Sequence, residues 1–226
     1  DKLNQFTEQG AEAAAISLEQ TDALTEGFSG AEVLFAMIPP NYAAPDFIAY
    51  MDAIGSSLVS AIRDSKVTHV VNLSSLGAHL PDRTGPIKGL HVHVERFNAL
   101  ADVNVLHLRP TYFMENLLAY AEMIKNMNIL GTSLRGDLGL PMIATRDIAV
   151  YAAERIDKKD FTGHSAVDLL GERDLTPEEA THIISRKIDK PGLEYVEFPY
   201  AETEKAMIGM GISADAARQM TELERA

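Results

Sequence analysis

Ala31 to Ile38 reads AEVLFAMI, a nearly continuous apolar run. Such a run suits a strand buried on both faces, which places it in a parallel sheet covered by helices. Its surroundings fit. A stretch with Phe47, Met51, Ile54, Leu58 and Ile62 at helical spacing follows it. Val67 to Leu73 (VTHVVNL) then gives another strand, Val92 to Ala101 a helix, and Val103 to Arg109 (VNVLHLR) a further strand stopped by Pro110. Short β-branched runs alternating with helices specify an α/β fold with a mostly parallel sheet covered on both faces.

Both ends of the chain extend this pattern. Ala13 to Ile16 is a short strand candidate, preceded by part of a helix at Asp1 to Gln9. Beyond Pro110 the pattern loosens. A helix carrying Met114, Leu117, Leu118, Ala121 and Ile124 leads into a turn-rich segment from Gly131 to Gly139. Arg146-Asp147-Ile148-Ala149 starts a short helix, and Ala166 to Leu170 reads as a late strand that returns to the sheet. Thr176-Pro177-Glu178-Glu179 has Thr at the N-cap, Pro in the first turn and Glu three residues on, which is a capping-box helix start. Glu194 to Phe198 is a strand, and the acidic tail with its methionines is helical.

Composition excludes several functions. The net charge is −13, and the longest basic cluster, Lys158-Lys159, is flanked by Asp157 and Asp160. A phosphate backbone is repelled by such a field, so direct nucleic-acid binding is not expected. With no Cys there is no disulfide framework, no thiolate metal site and no Cys nucleophile. No apolar stretch is long enough to cross a bilayer and no signal-peptide pattern opens the sequence, so the expectation is a soluble, cytoplasmic protein with no membrane partner.

Several segments together carry a family resemblance. Ala31 to Pro40 and the Ser74-Ser75 turn are two of them. Leu108-Arg109-Pro110-Thr111-Tyr112-Phe113-Met114-Glu115-Asn116 is another, followed in order by Arg146-Asp147-Ile148-Ala149, Phe161-Thr162-Gly163, Asp168-Leu169-Leu170-Gly171 and Leu175-Thr176. Over essentially its whole length the chain resembles the NmrA-like branch of the atypical short-chain dehydrogenases/reductases. The resemblance implies a Rossmann-type, doubly wound sheet with a small interleaved α+β lobe, the whole of residues 1–226 forming one NAD(P)-binding domain and residues 111–226 supplying most of the substrate lobe. It also implies that a strand, a Gly-rich phosphate loop, a helix and a second strand, about 40 residues in all, are not among these 226 residues. Asp1-Lys2-Leu3 would follow that second strand directly. The cofactor implied is NADP(H) or NAD(H), the choice resting on the second strand.

In an open α/β sheet the ligand crevice lies outside the carboxyl ends of the strands. That position points to Ile38, Pro39 and Pro40 after one strand and to Leu73, Ser74 and Ser75 after the next as cofactor-lining residues, with Ser75 also a catalytic candidate. Pro39-Pro40 simply ending a strand and serines capping a turn is the plainer alternative. Ser17-Leu18 matches the position where the family has Asp-Leu beside adenine, with Ser in place of the charge. By resemblance, Pro110, Thr111 and Tyr112 pass beneath the nicotinamide carboxamide, and Phe113 and Asn116 wall the substrate pocket. Phe113 with Met114 and Leu117 also reads as an ordinary apolar face, and Glu115 reads as a solvated or capping group.

Short-chain dehydrogenases commonly use a Tyr with a Lys four residues on, and no such pair occurs near the expected helix. His91, four residues before Glu95, stands where the family often has Lys, and it is the candidate for cofactor contact or proton donation. His93, two residues on, faces another side of the helix, and both are compatible with an exposed helix start. No third ligand accompanies them, so no metal site is expected. Tyr112 lacks a neighbouring cation to lower its pKa from about 10 and is read as structural.

Three functions follow. The first is an NAD(P)H-dependent reductase of a small planar electrophile such as a quinone, which needs little protonic help. The second is a non-catalytic redox sensor that binds the dinucleotide and changes affinity for a regulatory protein partner or a second copy of itself. The third, a sugar-nucleotide epimerase relative, would want the Tyr-Lys pair and fits least.

Overall fold

The computed structural model describes residues 3–225. Of the expected first helix, Asp1 and Lys2 lie outside the described residues, and α1 spans Asn4–Thr7. After α2 (Thr21–Phe28) the strand-helix alternation begins with β1 (Val33–Ala36), α3 (Phe47–Ser65), β2 (His69–Leu73), α4 (Ile87–Asn98) and β3 (Asn104–Pro110). β1, β2 and β3 pair in parallel, in register Val33 with His69 and His69 with Asn104. The doubly wound α/β fold implied by the sequence is present.

The alternation of side chains along these strands sorts two cores onto the two faces. Val70 and Val105 meet Ile62 of α3 and Phe97 of α4 on one face. Val71, Leu106 and Leu108 point the other way, into a cluster with Ile148, Ala152 and Phe161. α3 is long because its apolar stripe is unbroken: Met51, Ile54, Leu58 and Ile62 are all nearly inaccessible. Asp46 starts it, its carboxylate accepting from Ala49 N at 2.8 Å, and Lys66 in the left-handed region ends it.

β3 runs almost directly into β4 (Tyr112–Phe113) and a 3-10 helix (Met114–Tyr120), which continues as α5 (Ala121–Met127). Then follow β5 (Ile129–Thr132), β6 (Leu140–Ile143), α6 (Thr145–Lys158), β7 (His164–Leu169), β8 (Asp174–Leu175), α7 (Pro177–Lys187), β9 (Glu194–Glu197), α8 (Tyr200–Gly209) and α9 (Ala214–Arg225). β7 returns to the main sheet beside β3, in parallel, giving the order β1-β2-β3-β7. β4, β6 and β8 form a small second sheet and β5 with β9 a third. Thr176 closes the expected capping box with Glu179 at the start of α7.

Four expectations need correction. Ala13 to Ile16 is not a strand: no described strand lies beside it, and a strand exists only through a paired neighbour. The run at Ala31 is buried on one face only. Leu34, Ala36 and Ile38 face the α3 side, whereas Phe35 and Met37 are 46% and 45% exposed, because α6 covers that face only near Val33. The helix expected from Val92 begins five residues earlier, at Ile87, with Pro86 supplying the helical φ of its N-cap. The single helix expected after Pro110 is a 3-10 turn followed by α5, leaving Met114 and Leu118 exposed.

Candidate functional site

The carboxyl ends of β2 and β3 lie side by side, and their pairing continues past the strands: Ser74 N donates to Leu108 O at 2.8 Å and Leu76 N to Pro110 O at 2.9 Å. Two hydroxyl oxygens in this corner, Ser74 Oγ and Thr111 Oγ1, are buried without a hydrogen-bond partner. Thr84 Oγ1, in the loop leaving β2, and Arg109 Nε, near the end of β3, share that condition. Buried hydroxyls are nearly always partnered, so unpartnered ones at a ligand-facing strand end have the chemistry of a site awaiting polar ligand atoms. The hydroxyls and carboxamide of a dinucleotide would satisfy them, and on that observation the residues fit the nicotinamide-ribose half of such a cofactor. A Gly-rich strand-to-helix turn for its phosphates is not among the described residues.

The other residues singled out in the sequence are distributed around this corner. Ile38 is buried in the core under α3, Pro39 is half-buried with its carbonyl accepting from Tyr50 Oη at 3.2 Å, and Pro40 is exposed. Leu73 packs in the main core. Ser75 Oγ donates to Leu76 O at 3.0 Å, which turns its hydroxyl onto its own loop. Pro110 is buried and Phe113 packs on the cluster of Ile143 and Ile148, while Asn116 is exposed. Ser17 is exposed, its Oγ accepting from Glu19 N at 3.4 Å, and Leu18 packs on the α3 core. The Ser17 segment belongs to the loop before α2, separate in sequence from the β2–β3 corner.

His91 and His93 have opposite fates. His91 is half-buried with Nδ1 2.9 Å from Ala78 O. A carbonyl only accepts, so Nδ1 carries a proton, and it is Nε2 that keeps the lone pair in the neutral form of the ring. His93 is not at an exposed helix start. It is 1% exposed, stacked edge-on against Phe97 at 4.4 Å, with neither ring nitrogen partnered. Gly55 of α3 makes room for it, since a Cβ there would sit 2.8 Å from Nδ1. Burial drives its pKa down to about 3. On the same face His107 accepts from Asn72 Nδ2 at Nδ1 (3.0 Å) and donates from Nε2 to Asn98 Oδ1 (3.1 Å). Burial and the nearby Arg109 charge lower it to about 4. Both imidazoles are neutral core groups.

Tyr112 points into the small lobe, where Tyr120, Tyr195 and Glu224 gather, and burial pushes its phenol well above the usual value. Glu115 uses both carboxylate oxygens to accept from Thr145 N, at 3.1 and 3.0 Å, and so caps α6; hydrogen bonding from the Thr145 side chain, and then from its backbone, lowers the Glu115 pKa. A cavity of 580 Å³ opens between α3, the start of α4 and α9, lined by Asp46, Asp52, Lys88, Asp215 and Gln219 among others. It contains none of the expected cofactor residues, and its carboxylates already accept from Ala49 N, Arg96 and Phe47 N, so the strand-end corner is the better candidate. Among the described residues no cluster of three or more metal-ligating side chains occurs, and no helix is long and apolar enough to cross a membrane.

The sequence profile of the NmrA-like family matches residues 1–226. The chain belongs to the NmrA-like family. This NmrA-like protein is 26% identical over 226 residues to the NAD(P)H azoreductase of Xenophilus azovorans, an alignment covering 98% of the chain and 74% of that enzyme. Its fold is similar to that of the Escherichia coli NADPH-dependent quinone oxidoreductase in complex with NADPH, at a TM-score of 0.77 and 19% identity, over 98% of this chain and 78% of that one. The Citrobacter sp. triphenylmethane reductase in complex with NADP(H) superposes at a TM-score of 0.78 and 17% identity, over 100% of this chain and 76% of that one.

The sequence reading does not single out Thr84, nor Ser133 and Glu224 of the small lobe. No spacing or motif marks them, because their neighbours come from distant segments.

Proposed function

We propose that this protein is an NAD(P)H-dependent reductase of a small planar electrophile such as a quinone. The observation that carries the reading is the pair of buried, unpartnered hydroxyls, Ser74 Oγ and Thr111 Oγ1, at adjacent strand ends. The azoreductase relative and the quinone and triphenylmethane reductase folds support it. A bound dihydronicotinamide supplies a hydride, and the chain's own residues bind, orient and exclude water. In this reading the backbone after Ile38 and Leu73 lines the cofactor path, Ser74 and Thr111 hold the ribose and carboxamide, and Pro110 to Tyr112 form the floor. His91 Nε2 accepts a hydrogen bond from cofactor or substrate. Residues 111–226 supply most of the substrate lobe, with Phe113 and Asn116 on its wall.

A second reading, a dinucleotide-binding redox sensor, is favoured by one specific observation. The hydroxyl of Ser75 and Nδ1 of His91 are both committed to backbone carbonyls, and no Tyr in the chain has a Lys four residues on. The epimerase reading suffers from the same lack. The test is NADPH and NADH oxidation at 340 nm with a panel of quinones and azo dyes, alongside calorimetric titration of both redox forms. Turnover supports the reductase. Binding of both forms with no turnover across the panel overturns it in favour of the sensor.

A further inference from the structure

α9 touches both sides of the crevice. Its first half is fixed to the loops at the strand ends. Ser213 N donates to Tyr42 O at 2.8 Å, Asp215 Oδ2 accepts from Phe47 N at 3.0 Å, and Ala216 and Ala217 are fully buried. The helix backbone at Gln219 lies against Gly85, where any Cβ would collide with the Gln219 carbonyl. The last turn lies in the small lobe. Glu224 accepts a hydrogen bond from Ser133 Oγ, its backbone carbonyl accepts from Tyr200 Oη at 3.4 Å, and Arg225 stacks on the Tyr200 ring at 4.6 Å.

What Glu224 meets there is a tyrosine cluster that includes Tyr112, the chain neighbour of the expected wall residue Phe113. Burial raises the phenols of Tyr112 of β4, Tyr120 of the 3-10 helix and Tyr195 of β9, and the nearby Glu224 carboxylate adds to that shift. Tyr195 is itself anchored, bonding Thr132 Oγ1 and Leu134 O, both at 2.6 Å. Tyr112 is the residue between Thr111, with its unpartnered hydroxyl, and Phe113. A 12-residue α-helix is a rigid rod of about 18 Å, so its two anchorages fix the separation of what they hold.

We propose that α9 is a crossbar setting the width of the crevice, and that Glu224, through Ser133 and the tyrosine cluster beside Tyr112, is a positioning residue for the substrate wall at Phe113. The inference rests on the reductase reading for its kinetic consequence and on the geometry alone for its mechanical one. Removing the carboxylate leaves Ser133, 1% exposed, without its acceptor and loosens the lobe end of the bar, where only the Tyr200 contacts remain of those named, while the Ser213 to Gln219 end stays docked.

The test compares Glu224→Ala, Glu224→Gln and Ser133→Ala in the full protein. Loss of a buried partner of this kind corresponds to about a ten-fold change, and the expectation is a KM for the quinone or azo acceptor raised by about that factor in E224A and S133A. kcat and the affinity for NADPH stay within about two-fold, since fixation of the strand ends is untouched. E224Q, which keeps an acceptor oxygen for Ser133, restores the wild-type KM. A loss of folded protein alone would lower kcat and leave KM in place. Hydrogen exchange supplies an arm independent of turnover: in E224A, residues 220–225 exchange faster while 213–217 keep their protection. Unchanged KM in both E224A and S133A overturns the positioning role, and unchanged exchange overturns the crossbar. Should E224A fail to fold, S133A decides both arms. A wild-type protein that turns over no acceptor defeats the reductase reading, and the exchange arm then judges the crossbar by itself.

Discussion

Two neutral imidazoles in the α4-side core make the fold sensitive to mild acid. His93 titrates at about 3 and His107 at about 4, against an ordinary value of 6.5, because burial disfavours the charged ring in both. The folded pKa lies below the unfolded one, so the stability they contribute is complete above pH 6.5 and is lost as pH falls toward the folded values. Across that window an unfolded-only proton costs about 1.4 kcal/mol per pH unit, so by pH 5 each histidine has given up about 2 kcal/mol and the pair about 4 kcal/mol. That is a large share of a typical stability of about 5–15 kcal/mol. With a urea m-value near 3 kcal/mol/M, the unfolding midpoint falls by about 1.3 M between pH 8 and pH 5. The carboxylates of Glu32, Glu115 and Glu179 are held below their ordinary value of 4.5, and their contributions fade only below that pH. Glu224, raised by burial, pulls the opposite way. His93→Leu isolates the effect, because it removes two unpartnered nitrogens at similar volume and cancels everything else in the comparison. The variant should keep wild-type stability at pH 8 to within about 1.5 kcal/mol and lose only about half as much on going to pH 5. An identical midpoint shift in wild type and variant, measured by urea titration followed by circular dichroism, refutes the assignment of these histidines as the acid-sensitive groups.

Three further outcomes follow from local geometry. Ser74→Ala and Thr111→Ala each remove a buried, unpartnered hydroxyl, so thermal unfolding should shift little while NADPH affinity by calorimetry falls about five- to ten-fold. Thr176→Ala breaks the capping box of α7 and should lower stability by about 1 kcal/mol in urea unfolding, with cofactor affinity unchanged. Gly171→Ala would drive a Cβ into the Met142 carbonyl of β6, and the strain should exceed that of T176A, seen as a larger fall in melting temperature.

The parallel sheet and its covering helices were legible because continuous apolar runs and 3.6-residue spacing leave few other arrangements for β1, α3, β2 and β3. The small lobe was not, and its strands explain why. β6 reads LPMI with a proline inside it, β5 contains Gly131 and β8 has two residues, so none carries the period that announces a strand. The strand expected at Ala13 failed because three alanines carry little β propensity and pairing is a property of the neighbours. At the site, position along the strands pointed to Ser74 and the family resemblance to Thr111, and both stand at carboxyl ends of strands, where topology has an open sheet present its loops. The burial of His93 followed from Gly55, 38 positions earlier, and no local pattern reveals that a glycine on one helix has left space for an imidazole on another. The same holds for Glu224 and Ser133, 91 positions apart.

The amide of Phe47 waits for Asp215, 168 positions later in the chain. At about 5–20 residues per second of synthesis, roughly ten to thirty seconds pass between the appearance of that amide and of the carboxylate that accepts from it. During this interval Asp46 alone closes the first turn of α3, and the loops at the strand ends stand without the helix that later lies across them. The nascent chain therefore has β1, β2 and β3 well before it has a finished crevice, because the helix that lies across the ligand side is made long after them.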